Sequence, residues 1–355
     1  MRHGYYLEVG PIVRKFHSKG INVFYFCGGR GIGKTYSALD CCRELGTKDW
    51  ILDESMEQNR FLYLRRTAVE AQSVAAPESC PFKTYNRNEG YAINAEFNTK
   101  LGFGEFFLDD EKTQHIGYCA ALSTFANLRG IDFVDVSFIL YDECIPENKN
   151  KHVLKDEGFL LLNMIETINR NRLIEGLPEV ILVMLSNPID LGSPFLSQLV
   201  LTPIINNMIF KGQDKYTDYS RSVHIEKLTN HIVSKDKENS FLYKFAAPTG
   251  FNERALSGDF LDNDLDLIRR PDLAQYKAFL TIENICVYKH KAEESYYISQ
   301  TLQPSEYTFR AYEKEKLRAV FYWRYKLLIV ERKVFYDNFN TKIVFEAMIR
   351  YKPLP

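Results

Sequence analysis

Residues 21–27, Ile-Asn-Val-Phe-Tyr-Phe-Cys, are a short apolar, β-prone run. A glycine-rich stretch follows, and residues 36–45 then read as a helix closed by Gly46. Together they predict a buried strand, a tight turn and a helix. Further strand-length apolar runs lie at 61–64, 137–141 and 180–185, and residues 159–173 have helical spacing. Residues 80–124 alternate short β-like runs (91–97, 104–108 and 115–122) with turn signals, which predicts a β-rich stretch feeding a core strand. Strands alternating with helices predict a mostly parallel, helix-covered sheet.

The pattern changes after about residue 205. Residues 212–265 are polar and turn-rich, with Pro248-Thr249-Gly250 and an acidic run over 259–266. They are expected to be a linker or small hinge subdomain. Strands return at 278–288, 295–301 and 307–312, followed by an aromatic-basic stretch over 317–334 and a helical end. The expected division is 1–205, 206–268 and 269–355.

Composition narrows the class. The 355 residues fit about two domains. With 45 Lys+Arg against 46 Asp+Glu, the net charge of -1 excludes a globally basic nucleic-acid coat, though residues 271–355 alone carry +4. No apolar run approaches the roughly 20 residues of a membrane helix. Met1 to Tyr6 has no signal-peptide core, so a cytosolic location is expected. None of the seven cysteines forms a C-x-x-C pair, so buried thiols in a reducing compartment are expected rather than a zinc site or disulfides.

Gly28-Gly29-Arg30-Gly31-Ile32-Gly33-Lys34-Thr35 fits G-x-x-x-x-G-K-[ST] in full, between the predicted strand and helix. Glycines let backbone N–H groups wrap phosphates, Lys34 neutralises the β/γ-phosphates, and Thr35 offers its hydroxyl to Mg²⁺. Tyr36 follows directly and is counted with this ATP-binding run. Residues 137–141 end in Asp142-Glu143, an apolar strand finishing in two carboxylates. Asp142 is expected to hold Mg²⁺ through water, and Glu143 to activate the attacking water. The 115–124 strand is expected between the phosphate-loop strand and this acidic strand, the arrangement of additional-strand, catalytic-glutamate ATPases. Asn187 ends the next strand, either near the γ-phosphate or simply starting a turn at Pro188. Arg170 and Arg172 close the helix after the acidic pair, either as cations for a neighbour's phosphate or as helix C-terminal charges. Lys149, Lys151 and Lys155 are read as phosphate grips for DNA or as solvated charge.

Gly29 to Thr35, Tyr63-Leu64-Arg65-Arg66, Tyr141-Asp142-Glu143, Asn169-Arg170-Asn171-Arg172 and Leu185-Ser186-Asn187 together resemble the φ29-type double-stranded DNA packaging ATPases, relatives of the large terminase subunits. The resemblance implies a P-loop ATPase domain followed by a vestigial RNase H-like domain. It implies a homo-oligomeric ring, a pentamer, on the portal of a procapsid in the host cytoplasm, pumping DNA with ATP and Mg²⁺. It further implies catalysis between subunits, with Arg170 as the trans-acting arginine, Arg172 its close neighbour and Arg129 an interface cation. Nothing in the sequence points to a packaging RNA. In the last domain Glu283, Asp337 and Glu346 are the carboxylates considered for a nuclease, and they do not form a recognisable triad. Two other readings stay open: a terminase with a live nuclease, and a nucleotide-gated DNA-binding protein with little turnover.

Overall fold

The computed structural model describes residues 8–50, 52, 59–76, 78–128, 130–146, 156–188, 191, 193–228, 239–247, 267–269 and 271–349. The chain divides into two compact units. One comprises Met1–Asp190 and Lys211–Leu261; the other comprises Leu191–Phe210 and Asp262–Pro355.

The first unit is built on a mixed sheet of nine strands. In chain order these are β1 (Val23–Gly28), β2 (Arg60–Arg65), β3 (Asn94–Asn98), β4 (Phe103–Phe107), β5 (His115–Ala121), β6 (Val136–Tyr141), β7 (Ile181–Ser186), β8 (Lys215–Asp218) and β9 (Val223–Leu228). Their lateral order is β3-β4-β5-β2-β6-β7-β1-β9-β8. Neighbours from β5 to β9 run parallel, and each edge of the sheet is an antiparallel hairpin. Every residue of β6 and β7 is buried. Their continuous apolar runs are what strands covered on both faces require.

The helices of this unit that matter for the site are α1 (Val9–His17), α2 (Lys34–Gly46), α3 (Ala68–Val74), α4 (Phe82–Glu89) and α5 (Glu157–Ile174); a further short helix spans Phe241–Ala246. A reciprocal capping box between Thr67 and Glu70 starts α3. The short α4 buries only Phe82 and Tyr85 and ends on Gly90 in the left-handed region. Phe61, Phe82 and Phe106 pack ring to ring beneath it, with centroids 5.2–6.1 Å apart.

Three expectations change here. The strand between β1 and β6 is β7, not the 115–124 strand, which lies beyond β2 as β5. Part of the expected linker is sheet, since β8 and β9 extend the first unit beside β1. Their polar composition hid them. His224 and Glu226 on β9 are buried because they pair with each other at 3.2 Å, with Thr217 on the other His224 nitrogen at 2.8 Å. Residues 82–89 form a helix within the stretch read as β-rich.

The second unit holds α6 (Pro194–Gln198), α7 (Thr202–Phe210) and a five-stranded sheet: β10 (Tyr276–Ile282), β11 (Ile285–His290), β12 (Tyr296–Ser299), β13 (Tyr307–Phe309) and β14 (Val334–Tyr336). β10, β11 and β12 form an antiparallel meander, with β13 parallel to β10 at one edge and β14 parallel to β12 at the other. Most of the aromatic-basic stretch over 317–334 is helical. It runs through Lys314–Leu317, a π-turn at Arg318–Tyr322 and Trp323–Val330. Helical spacing turns Phe321, Tyr325 and Leu328 inward and leaves Trp323 73% exposed. Phe321 centres a cluster with Tyr296 at 4.9 Å and Phe345 at 6.2 Å. Among the described residues no helix is long and apolar enough to cross a membrane.

Candidate functional site

The C-terminal ends of β1, β2, β6 and β7 meet the start of α2 around a cleft of about 550 Å³. Arg30, Gly31, Gly33, Lys34, Thr35, Tyr36, Thr84, Asn88, Asp142, Glu143, Ser186 and Asn187 line it. Parallel α/β sheets bind ligands at this end because their helices start there, with N–H groups unpaired and the dipole positive.

The turn after β1 needs its glycines. Gly31 and Gly33 have φ of 70° and 94°, where a side chain is strained. At Gly28 a Cβ would meet the Leu228 carbonyl oxygen at 2.4 Å and Ile32 Cδ1 at 2.7 Å. The backbone of β9 therefore fixes the residue that opens the turn. Lys34 folds back over this turn. Its Nζ donates to the carbonyls of Gly28 at 2.7 Å and Gly29 at 2.8 Å, and to Asn187 Oδ1 at 3.0 Å. A buried ammonium is thus held at the mouth of the turn, with Asn187 from β7 beside it.

Thr35 Oγ1 stands 3.2 and 3.3 Å from the two carboxylate oxygens of Asp142. Tyr63 donates its hydroxyl to Asp142 Oδ2 at 2.7 Å, and the Glu143 N–H donates to Oδ1 at 3.0 Å. Burial raises the Asp142 carboxyl above its usual range, opposed by the Tyr63 bond and the Arg65 charge. One hydroxyl and one carboxylate, both hard oxygen donors, fit a divalent cation such as Mg²⁺ that keeps waters and phosphate oxygens as its other ligands.

Glu143 has a φ of 53° and a side chain 56% exposed. Its Oε2 accepts from Arg65 Nη2 at 2.6 Å. Arg65 ends β2 and Arg66 lies just past it, and the two side chains part. Arg65 faces the acidic pair, whereas Arg66 makes a two-pronged pair with Glu157 at the start of α5, at 2.8 and 3.2 Å. Tyr141, the residue before Asp142, donates to that same Glu157. All three side chains are buried.

The two arginines of α5 part company. Arg170 is exposed on the helix and does not line the cleft. It lies 13 residues beyond Glu157, about 20 Å along the axis at 1.5 Å per residue. Arg172 is fully buried, donating to the Pro178 carbonyl from Nε and the Val134 carbonyl from Nη1, both at 2.7 Å. It locks the loop before β7 and does not join the site. Arg172→Ala is expected to cost about 3 kcal/mol, since two buried carbonyls lose a charged donor. Arg170→Ala is expected to stay within about 0.5 kcal/mol. Denaturant titrations of the two variants check the contrast.

Arg129, Lys149, Lys151 and Lys155 lie outside the described residues. All seven cysteines are buried and free, and burial pushes the Cys27 thiol up to about 12, which leaves it inert beside the turn. Sequence reasoning missed Tyr63 as the partner of Asp142, and Thr84 and Asn88 as wall residues. The run Tyr63-Leu64-Arg65-Arg66 carried a signal for the first. The polar helix α4 carried none.

Sheet, turn and cleft define an α/β protein of the P-loop class. The chain belongs to the podovirus DNA encapsidation protein (Gp16) family, whose model matches residues 12–346. It is 24% identical over 243 residues to the DNA packaging protein of Bacillus phage B103, covering 68% of this chain and 65% of that protein. It is 23% identical over 247 residues to the DNA packaging protein of Bacillus phage phi29, covering 69% of this chain and 64% of that protein. The matched stretches thus span just under two thirds of these two relatives. The fold is similar to a chain of the bacteriophage Phi-29 viral genome packaging motor assembly, with a TM-score of 0.61 at 17% identity, covering 98% of this chain and 99% of that one.

Proposed function

We propose that this chain hydrolyses ATP to drive double-stranded DNA into a viral procapsid. The observation that carries the reading is the convergence of Lys34, Thr35, Asp142, Glu143 and Asn187 on one cleft, in a chain of the DNA encapsidation family. Lys34 and the N–H groups of the turn hold the β- and γ-phosphates, and Asn187 orients the γ-phosphate end. Thr35 and, through water, Asp142 would hold Mg²⁺, which when bound would neutralise charge developing on the phosphates. Tyr63 and the Glu143 N–H keep the Asp142 carboxylate turned toward Thr35. Glu143 leaves Arg65 and takes a proton from the attacking water.

The position of β7 between β1 and β6 supports assigning the first unit to the additional-strand, catalytic-glutamate ATPases, with β7 as the added strand. Arg170, remote from its own cleft, serves the cleft of a neighbouring subunit in a homo-oligomeric ring, a pentamer on the portal of a procapsid in the host cytoplasm. We read the second unit as an RNase H-like domain that does not cut. Asp337 is engaged by Ser299 at 2.9 Å and by the Gln300 N–H at 3.0 Å, and Glu346 pairs with Lys342 at 3.7 Å. Among the described residues no group of three or more His, Cys, Asp or Glu side chains is placed to hold a metal ion.

The test is phosphate release by the purified chain with and without double-stranded DNA, alone and with portal-bearing procapsids. DNA-stimulated turnover that disappears in Glu143→Gln is expected. Nucleotide binding with no turnover under any of these conditions would instead make the chain a nucleotide-gated DNA binder.

A further inference from the structure

The charged residues at the deep end of the cleft are accounted for by phosphates, metal and water under the reading above, on which this inference rests. The wall contributed by Tyr36, Thr84 and Asn88 is different. It is uncharged, and it combines an aromatic ring with hydrogen-bonding groups. Thr84 and Asn88 are four residues apart on α4, so they present on one helical face. Tyr36 sits one residue past Thr35, where the chain leaves the phosphate end.

The Tyr36 ring is fixed in place. Its hydroxyl donates to Glu89 Oε1 at 2.7 Å, and its ring leans on Tyr85 with centroids 5.2 Å apart. A held aromatic ring is a platform on which a nucleobase stacks, whatever its identity. Discrimination needs polar groups, and an asparagine amide offers the acceptor and donor that match the edge of adenine. Guanine presents an oxygen acceptor where adenine presents its amino group.

We propose that Tyr36, Thr84 and Asn88 form the nucleoside subsite of the cleft, and that Asn88 selects adenine over guanine. Tyr36 supplies the stacking surface. Thr84, one helical turn before Asn88, supplies a hydroxyl to the sugar.

Calorimetric titration of the full chain with ADP, GDP and inorganic tripolyphosphate, each with Mg²⁺, tests this without relying on turnover. The wild-type chain is expected to prefer ADP over GDP by about tenfold or more, the worth of one well-matched pair. Asn88→Ala is expected to lose most of that preference while binding tripolyphosphate unchanged. Asn88→Asp is expected to move the preference toward GDP, because a carboxylate only accepts and guanine offers N–H groups. Tyr36→Leu is expected to weaken ADP and GDP alike. Equal wild-type affinity for the two nucleotides would overturn the assignment, as would an ADP preference that survives both Asn88 variants. A wild-type chain that binds neither nucleotides nor tripolyphosphate would sink the phosphate cradle itself, so the tripolyphosphate arm tells the two failures apart.

Discussion

Subunits carrying Arg170→Ala are expected to hydrolyse ATP about 10³-fold more slowly than wild type, the lower end of what a phosphate-directed arginine contributes. Glu143→Gln subunits, lacking the base, are expected to be comparably inactive. A mixture of the two is expected to recover part of the rate. In a mixed ring, an Arg170→Ala subunit keeps an intact Glu143, and a Glu143→Gln neighbour still carries Arg170. One interface type is then complete, whereas neither homogeneous ring has any. The geometry suits this proposed arrangement. Arg170 is exposed, does not line its own cleft and lies about 20 Å along α5 from Glu157, so on the proposed ring its target phosphate would belong to another copy. Phosphate release measured across mixing ratios checks this. Activity that stays at the level of the dead parents at every ratio would remove the shared site. The stability contrast between Arg170→Ala and Arg172→Ala provides the control for misfolding.

The second large effect is expected at Lys34. In Lys34→Ala the Gly28, Gly29 and Asn187 oxygens lose the ammonium that ties them together. The phosphates lose their only charge partner from the turn apart from Arg30. Turnover is expected to fall by about 10³-fold or more, in line with removal of a preorganised electrostatic group. Binding of Mg²⁺-ADP is expected to weaken with it, since Lys34 meets the ground state as well as the transition state. The readout is the rise in melting temperature on adding nucleotide, which is expected for wild type and absent in Lys34→Ala. A full nucleotide-dependent rise in the variant would assign phosphate binding to other groups.

Much of this was legible in the sequence because it is local. The Gly28 to Thr35 turn requires glycines and a lysine at fixed offsets, and its flanking strand and helix announce themselves by period. The Asp142-Glu143 pair closes an apolar run for the same reason. What the chain does across distance was not legible. Nothing local distinguishes β7 from β5 as the neighbour of β1, because lateral order is set by crossovers rather than by strand composition. β9 escaped notice because His224 and Glu226 satisfy each other inside, so a buried strand carries a polar signature. Arg170 and Arg172 stand two residues apart, about 200° around a helix. One therefore faces solvent and the other the interior, and the composition of Asn-Arg-Asn-Arg does not say which. Tyr63 stands in a run the sequence singles out, but nothing local says that its hydroxyl meets Asp142.

The buried knot of Tyr141, Arg66 and Glu157 fastens the start of α5 to the residue that precedes Asp142. From there to Ile174 the helix contains no proline, and its single glycine, Gly158, sits in the first turn. Such a helix is a stiff lever with its fulcrum at the end of β6. A tilt of about 10° at the knot moves position 170 by about 3.5 Å over the intervening length, roughly the difference between an arginine in contact with a phosphate and one a water layer away. On the proposed ring, such a rod would carry a shift at the residue before Asp142 outward to position 170, where the next subunit's cleft is proposed to lie.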